Sequence, residues 1–177
     1  MFTHPTNRRT RNPVLSLLLA AVTAAALSAP AAASTHDDAV ARGRYLVGIS
    51  GCNDCHTPGY AEQAGAVPES DRLTGSSVGF QGPWGTSYPT NLRLSTAAST
   101  PDAWLQHARS PMRPPMPWFA LRDMSDDDLL AIYAYIRSLG TQGAPAPAAA
   151  APGQAVTTPY IEFMPKNLPQ KQAMATH

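Results

Sequence analysis

Cys52-Asn53-Asp54-Cys55-His56 is the segment whose residue types and spacing point most directly to chemistry. Two thiols three residues apart on one helical turn can each add to one of the two vinyl groups of a single porphyrin. The His that follows the second Cys can then face the iron from one side. The spacing predicts one haem c, held covalently through Cys52 and Cys55, with His56 as an axial ligand. Competing readings of the same residues fit less well. A thioredoxin-like redox pair calls for a βαβ context, which the chain lacks. A zinc site would need two more ligands, and the chain has only these 2 Cys. A disulfide spanning three residues would be strained and would hold little together.

With His56 in one axial position, the chemistry depends on the other. Iron bound by His and Met is closed and suited to electron transfer, whereas an open site favours ligand binding or peroxide chemistry. The candidates are Met112, Met116, Met124, Met164, Met174, His36, His107 and His177. Met116 is the best placed, because Pro114, Pro115 and Pro117 restrict the backbone around it and remove competing N–H donors. Trp118 and Phe119 are expected to close over the porphyrin. His107 reads as a surface residue and Met124 as packing, while Met164 and Met174 lie in the tail. Haem propionates need donors if they are buried. Trp84, Tyr88, Asn91 and Arg93 supply an indole, a phenol, an amide and a guanidinium within ten residues. A surface loop meeting only water is the plainer reading of that stretch. Arg113 is a further, weaker candidate.

The elements that must position these groups are legible in outline. Asp37 and Asp38 open a helix over Ala39–Ile49, where Gly43 implies close approach of another helix. Thr100 as N-cap and Pro101 in the first turn start a second helix that cannot pass Pro111. Ser125-Asp126-Asp127-Asp128 caps a third, with apolar residues from Leu129 to Ile136 at helical spacing and Gly140 beyond its end. With 18 Pro and 12 Gly, the remainder reads as long loops, and no stretch alternates enough to suggest a strand. The class expected is therefore all-α: three short helices, long loops and a Pro/Ala-rich tail.

Residues 1–33 read as a cleaved export signal. Arg8, Arg9 and Arg11 precede an apolar run, Val14–Ala26, too short to span a bilayer, and Ala31-Ala32-Ala33 offers a cleavage site. An uncleaved anchor is the competing reading. The haem domain is expected over 35–140 and a linker with an extended arm over 141–177. The stretch from Ala144 to Gly153 looks unable to form a helix or a core. Tyr160, Ile161 and Phe163 beyond it suit either gripping a partner or packing on their own domain. The formal net charge of +1 excludes a generic nucleic-acid binder. Without the three signal arginines the 13 basic residues fall to 10 against 12 acidic ones, a net charge of −2.

Over roughly Ala39 to Gly140 the chain resembles the class I c-type cytochromes. The resemblance rests on Gly43-Arg44-Tyr45-Leu46, on Cys52 to His56 followed by Thr57-Pro58, on Arg113-Pro114-Pro115-Met116-Pro117-Trp118, and on Met124 to Tyr135. These segments look most like haem domains of cytochrome subunits that serve bacterial periplasmic dehydrogenases, including the alcohol and aldehyde types, although those often hold two or three haems and this chain has one motif. The resemblance implies that Met116 is the axial Met, that Gly85-Thr86-Ser87-Tyr88 to Asn91 lines the propionate edge, and that the first and last helices cross with Gly43 against Tyr133. It also implies a periplasmic one-electron carrier without catalysis of its own. Its partners would be redox proteins, a dehydrogenase as donor and a cytochrome or oxidase as acceptor, with no membrane span once the signal is removed. The alternative is an open-site haem protein, a peroxidase-like enzyme or gas sensor.

Overall fold

The computed structural model describes residues 31–167, with side chains from residue 35 onward. Of residues 1–35, only those from Ala31 are described, as the start of a helix. The expected export signal otherwise lies outside the described residues, as do Met174 and His177.

Three anticipated helices are present: α1 (Ala31–Ile49), α4 (Pro101–Ala108) and α6 (Asp126–Ser138). Their caps are those read from the sequence. The Thr100 hydroxyl accepts from the Ala103 N–H at 3.2 Å, and the Ser125 hydroxyl accepts from the Asp128 N–H at 3.1 Å. Three shorter helices interrupt the expected loops: α2 (Cys52–His56), α3 (Leu92–Ala97) and α5 (Trp118–Asp123). Each spans at most six residues, too few for apolar periodicity to announce it.

The purely α-helical expectation needs correction. Strands β1 (Gly79–Gly82), β2 (Gly85–Ser87) and β3 (Tyr160–Glu162) form a three-stranded sheet in the order β2-β1-β3. β1 and β2 form an antiparallel hairpin, while β3 arrives from the far end of the chain and pairs with β1 in parallel. Strands of three or four residues carry too little alternation to be read from sequence. The C-terminal segment thus packs on its own domain. The Phe163 ring meets Phe80 edge-on at 5.5 Å, and Ala150 is buried where it bridges Thr86.

The core joins α1, α4 and α6 through Leu46, Val47, Trp104, Ile132, Tyr135 and Ile136, with Leu73 from the intervening loop. The α1–α6 crossing depends on Gly43. A Cβ there would overlap the Ala131 carbonyl oxygen and stand 2.8 Å from the Tyr135 Cβ. The close approach is as anticipated, but its partners are Ala131 and Tyr135 rather than Tyr133, whose hydroxyl donates to the Ser99 carbonyl at 2.7 Å. Arg42 to Asp128 at 2.9 Å and Arg44 to Glu69 at 2.8 Å brace the crossing from outside.

Gly43→Ala should therefore lower unfolding stability by at least about 2 kcal/mol in denaturant titration, because overpacking outweighs the gain in helix propensity. Gly48→Ala meets nothing within 4 Å and should be neutral or stabilising by up to about 1 kcal/mol.

Candidate haem site

A cavity of about 740 Å³ lies between the short helices, the loop before α5 and the C-terminal segment. Cys52, Cys55, His56, Tyr88, Asn91 and Met116 all line it. Most of the remaining wall is apolar: Phe80, Leu92, Leu94, Trp104, Leu121, Ile132 and Ile136, among others.

Helix α2 follows α1 after a turn at Gly51 and presents its two thiols and one imidazole from a single turn. Its end is held by buried polar groups. The Thr57 hydroxyl donates to the Asn53 side-chain oxygen at 2.8 Å and accepts from the Leu73 N–H at 2.8 Å. His56 is buried, and its Nδ1 lies 2.7 Å from the Thr90 carbonyl oxygen. That carbonyl can only accept, so Nδ1 carries the proton and Nε2 keeps its lone pair for a metal. Burial lowers the His56 pKa, with the Thr90 bond partly opposing, so the ring is neutral and able to ligate.

Burial raises the Cys52 thiol to about 11 and also raises Cys55, with the Asp54 carboxylate adding to both. A redox-active thiol pair needs the opposite shift, towards thiolate. Among the described residues, no three His, Cys, Asp or Glu side chains cluster as a metal site. The donor set fits a haem c: two neutral thiols, an imidazole held in one tautomer and an apolar cavity.

The loop before α5 carries Met116, with the Pro114–Pro115 peptide cis. Arg109 anchors the end of α5, which follows this loop, by donating to the carbonyls of Leu121, Arg122 and Met124. Met112, Met124 and His107 also line the cavity, so the fold brings four of the sixth-ligand candidates together. Trp118 and Phe119 do not line it. The Arg122 guanidinium lies over the Trp118 ring, and Phe119 is exposed.

The four expected propionate donors separate. The Asn91 amide donates to the Gln142 and Ala144 carbonyls, while its oxygen caps α3 by accepting from the Leu94 N–H. The Tyr88 hydroxyl pairs with Thr158 at 2.5 Å. Arg93 lies outside the lining; its buried guanidinium donates to the carbonyls of Gly140, Ser70 and Leu139 and closes the end of α6. Trp84 also lies outside the lining, yet its buried Nε1–H is the one donor of the four without a partner among the described residues.

Two contributors went unread in the sequence. The Thr90 carbonyl orients His56, but a backbone carbonyl leaves no mark on residue type. Pro145, Ala146, Pro147 and Ala149 line the cavity, although their composition argued against any core role.

A family model described as cytochrome c matches residues 40–140, more than half of the chain. The chain belongs to the cytochrome c family. Membership implies a covalently bound haem c and electron transfer rather than catalysis of its own. The cytochrome is 27% identical over 118 residues to the fructose dehydrogenase cytochrome subunit of Gluconobacter japonicus, covering 60% of this chain and 22% of that one. It is 32% identical over 126 residues to the gluconate 2-dehydrogenase cytochrome c subunit of Pantoea cypripedii, covering 63% and 29% respectively. This cytochrome therefore spans less than a third of the length of either relative. No solved structure matches it. Among the described residues no helix is long and apolar enough to cross a membrane.

Replacing Arg93 by Lys leaves buried carbonyls short of donors. Arg93→Lys should cost about 3 kcal/mol in unfolding titrations and leave the reduced visible spectrum unchanged. A shifted reduction potential with unchanged stability would contradict that structural role.

Proposed function

We propose that this cytochrome is a periplasmic one-electron carrier. In this reading Cys52 and Cys55 would attach a single haem c, and His56 and Met116 would ligate its iron. The observation that carries the proposal is one shared cavity, lined both by the attachment turn and by the proline-flanked Met116. A haem bound there supplies a one-electron couple between ferric and ferrous iron.

The chain's own residues do the rest. His56 offers Nε2 while Thr90 fixes the ring, so the imidazole need not reorient between oxidation states. The Met116 thioether is a soft, neutral donor that favours reduced iron. Leu92, Leu94, Trp104, Ile132 and Ile136 exclude water and raise the cost of extra positive charge, which acts in the same direction. Tyr88 and Asn91 form wall. The Trp84 N–H stands outside that wall, so no haem contact is assigned to it.

The relatives are cytochrome subunits of dehydrogenases, which supports a dehydrogenase as donor and a downstream cytochrome or oxidase as acceptor. Export after cleavage of residues 1–33 belongs to the same proposal and brings the chain to the compartment where haem is attached.

Met116→Ala tests the ligand assignment. The expected product keeps its covalent haem, loses the far-red sulfur-to-iron band when oxidised and binds carbon monoxide when reduced. Met112→Ala and Met124→Ala should keep the wild-type behaviour. Unchanged ferric and ferrous spectra for Met116→Ala would move the sixth ligand elsewhere. A wild-type protein that already binds carbon monoxide would favour the open-site alternative.

A further inference from the structure

We propose that the C-terminal segment, which follows the residues matched by the cytochrome c family, is a positioning strap for the loop that carries Met116. The proposal rests on the reading of Met116 as sixth ligand. The loop needs outside support for a reason visible in its composition. Pro114, Pro115 and Pro117 have no N–H to donate, and its own backbone bonds around Met116 run only from Met116 N to Arg113 O and from Trp118 N to Met116 O.

The missing support comes from two places that meet each other. Ser87 Oγ donates to the Pro114 carbonyl at 2.5 Å, tying the loop to β2. Arg113 Nη1 donates to the Ala150 carbonyl at 3.3 Å, tying it to the C-terminal segment. Ala150 is in turn locked to Thr86, next to Ser87, by reciprocal backbone bonds of 3.1 and 2.9 Å. Strand and strap lie so close there that a Cβ on Gly85 would overlap the Ala150 carbonyl oxygen. The strap is anchored on both sides of that bridge. Asn91 holds the Gln142 and Ala144 carbonyls before it, and β3 pairs with β1 after it. Between the anchors, Pro145, Ala146, Pro147 and Ala149 wall the cavity.

Arg113 is thus a positioning residue and the strap its fixed point. When the strap is absent, the fraction of molecules with Met116 off the iron rises. The apparent affinity for carbon monoxide, which competes for that position, rises in proportion. The experiment compares reduced, haem-loaded full chain, a chain ending at Gly143, and full-length Arg113→Leu and Arg113→Lys. The point variants keep the test decisive if the shortened chain fails to fold. Carbon monoxide titration and the oxidised far-red band are read on each. The expected result is a full chain that resists carbon monoxide, with affinity at least about tenfold tighter and a weakened far-red band in the shortened chain and in Arg113→Leu. Arg113→Lys, which restores a donor to Ala150, should lie close to the full chain. A full chain closed to carbon monoxide, with Arg113→Leu and the shortened chain equally closed, would overturn the strap alone. A full chain that itself binds carbon monoxide would overturn the Met116 reading and the strap with it.

Discussion

The bond between His56 Nδ1 and the Thr90 carbonyl is short and directional, with the imidazole end buried, and most of the architecture can be read as holding its two ends in register. A five-residue helix has almost no stability of its own, since helix nucleation fixes several residues for a single hydrogen bond. Helix α2 keeps its place because Thr57 donates to Asn53 and accepts from the Leu73 N–H, and Leu73 is fully buried in the core. On the other side, Thr90 is fixed by its neighbours. Asn91 caps α3 and grips the C-terminal segment, and the Leu92 N–H donates to the Leu73 carbonyl at 3.0 Å. Leu73 therefore touches both ends of the arrangement, and one neutral, oriented imidazole results.

The cavity before that imidazole is a shared product of distant parts of the chain. The α1–α6 crossing at Gly43 sets how closely the large helices pack, and Ile132 and Ile136 of α6 turn their far side to the cavity. Arg93 fastens the end of α6 to the loop at Ser70 and so keeps that wall from moving independently. Further wall is supplied by the small residues of the C-terminal segment, which contribute shape and exclude water without forming regular structure.

What could be read in advance follows from which information resides in side chains. Ser125 and Thr100 announce helix starts because their hydroxyls do the capping, and the Cys52–His56 spacing announces attachment because the reacting atoms belong to those side chains. Gly43 announced a close approach, but which α6 residues it meets depends on helix phase, and the partners proved to be Ala131 and Tyr135. Arg93 is a donor in any context; that it serves backbone carbonyls instead of a ligand depends on the direction of α3, which no local pattern reveals. The small sheet escaped because its third strand comes from nearly eighty residues away. The Pro/Ala stretch misled for a related reason. It cannot build a core, but it can be laid against one that already exists.

One haem held covalently at Cys52 and Cys55 is the centre of the proposed function, and the mass of the intact, denatured chain tests it most directly. The prediction is a single species heavier than the polypeptide by one haem, unchanged by acid extraction of non-covalent haem. Reversion to the polypeptide mass on extraction, or a mass showing no haem at all in protein matured with its attachment machinery, would contradict it.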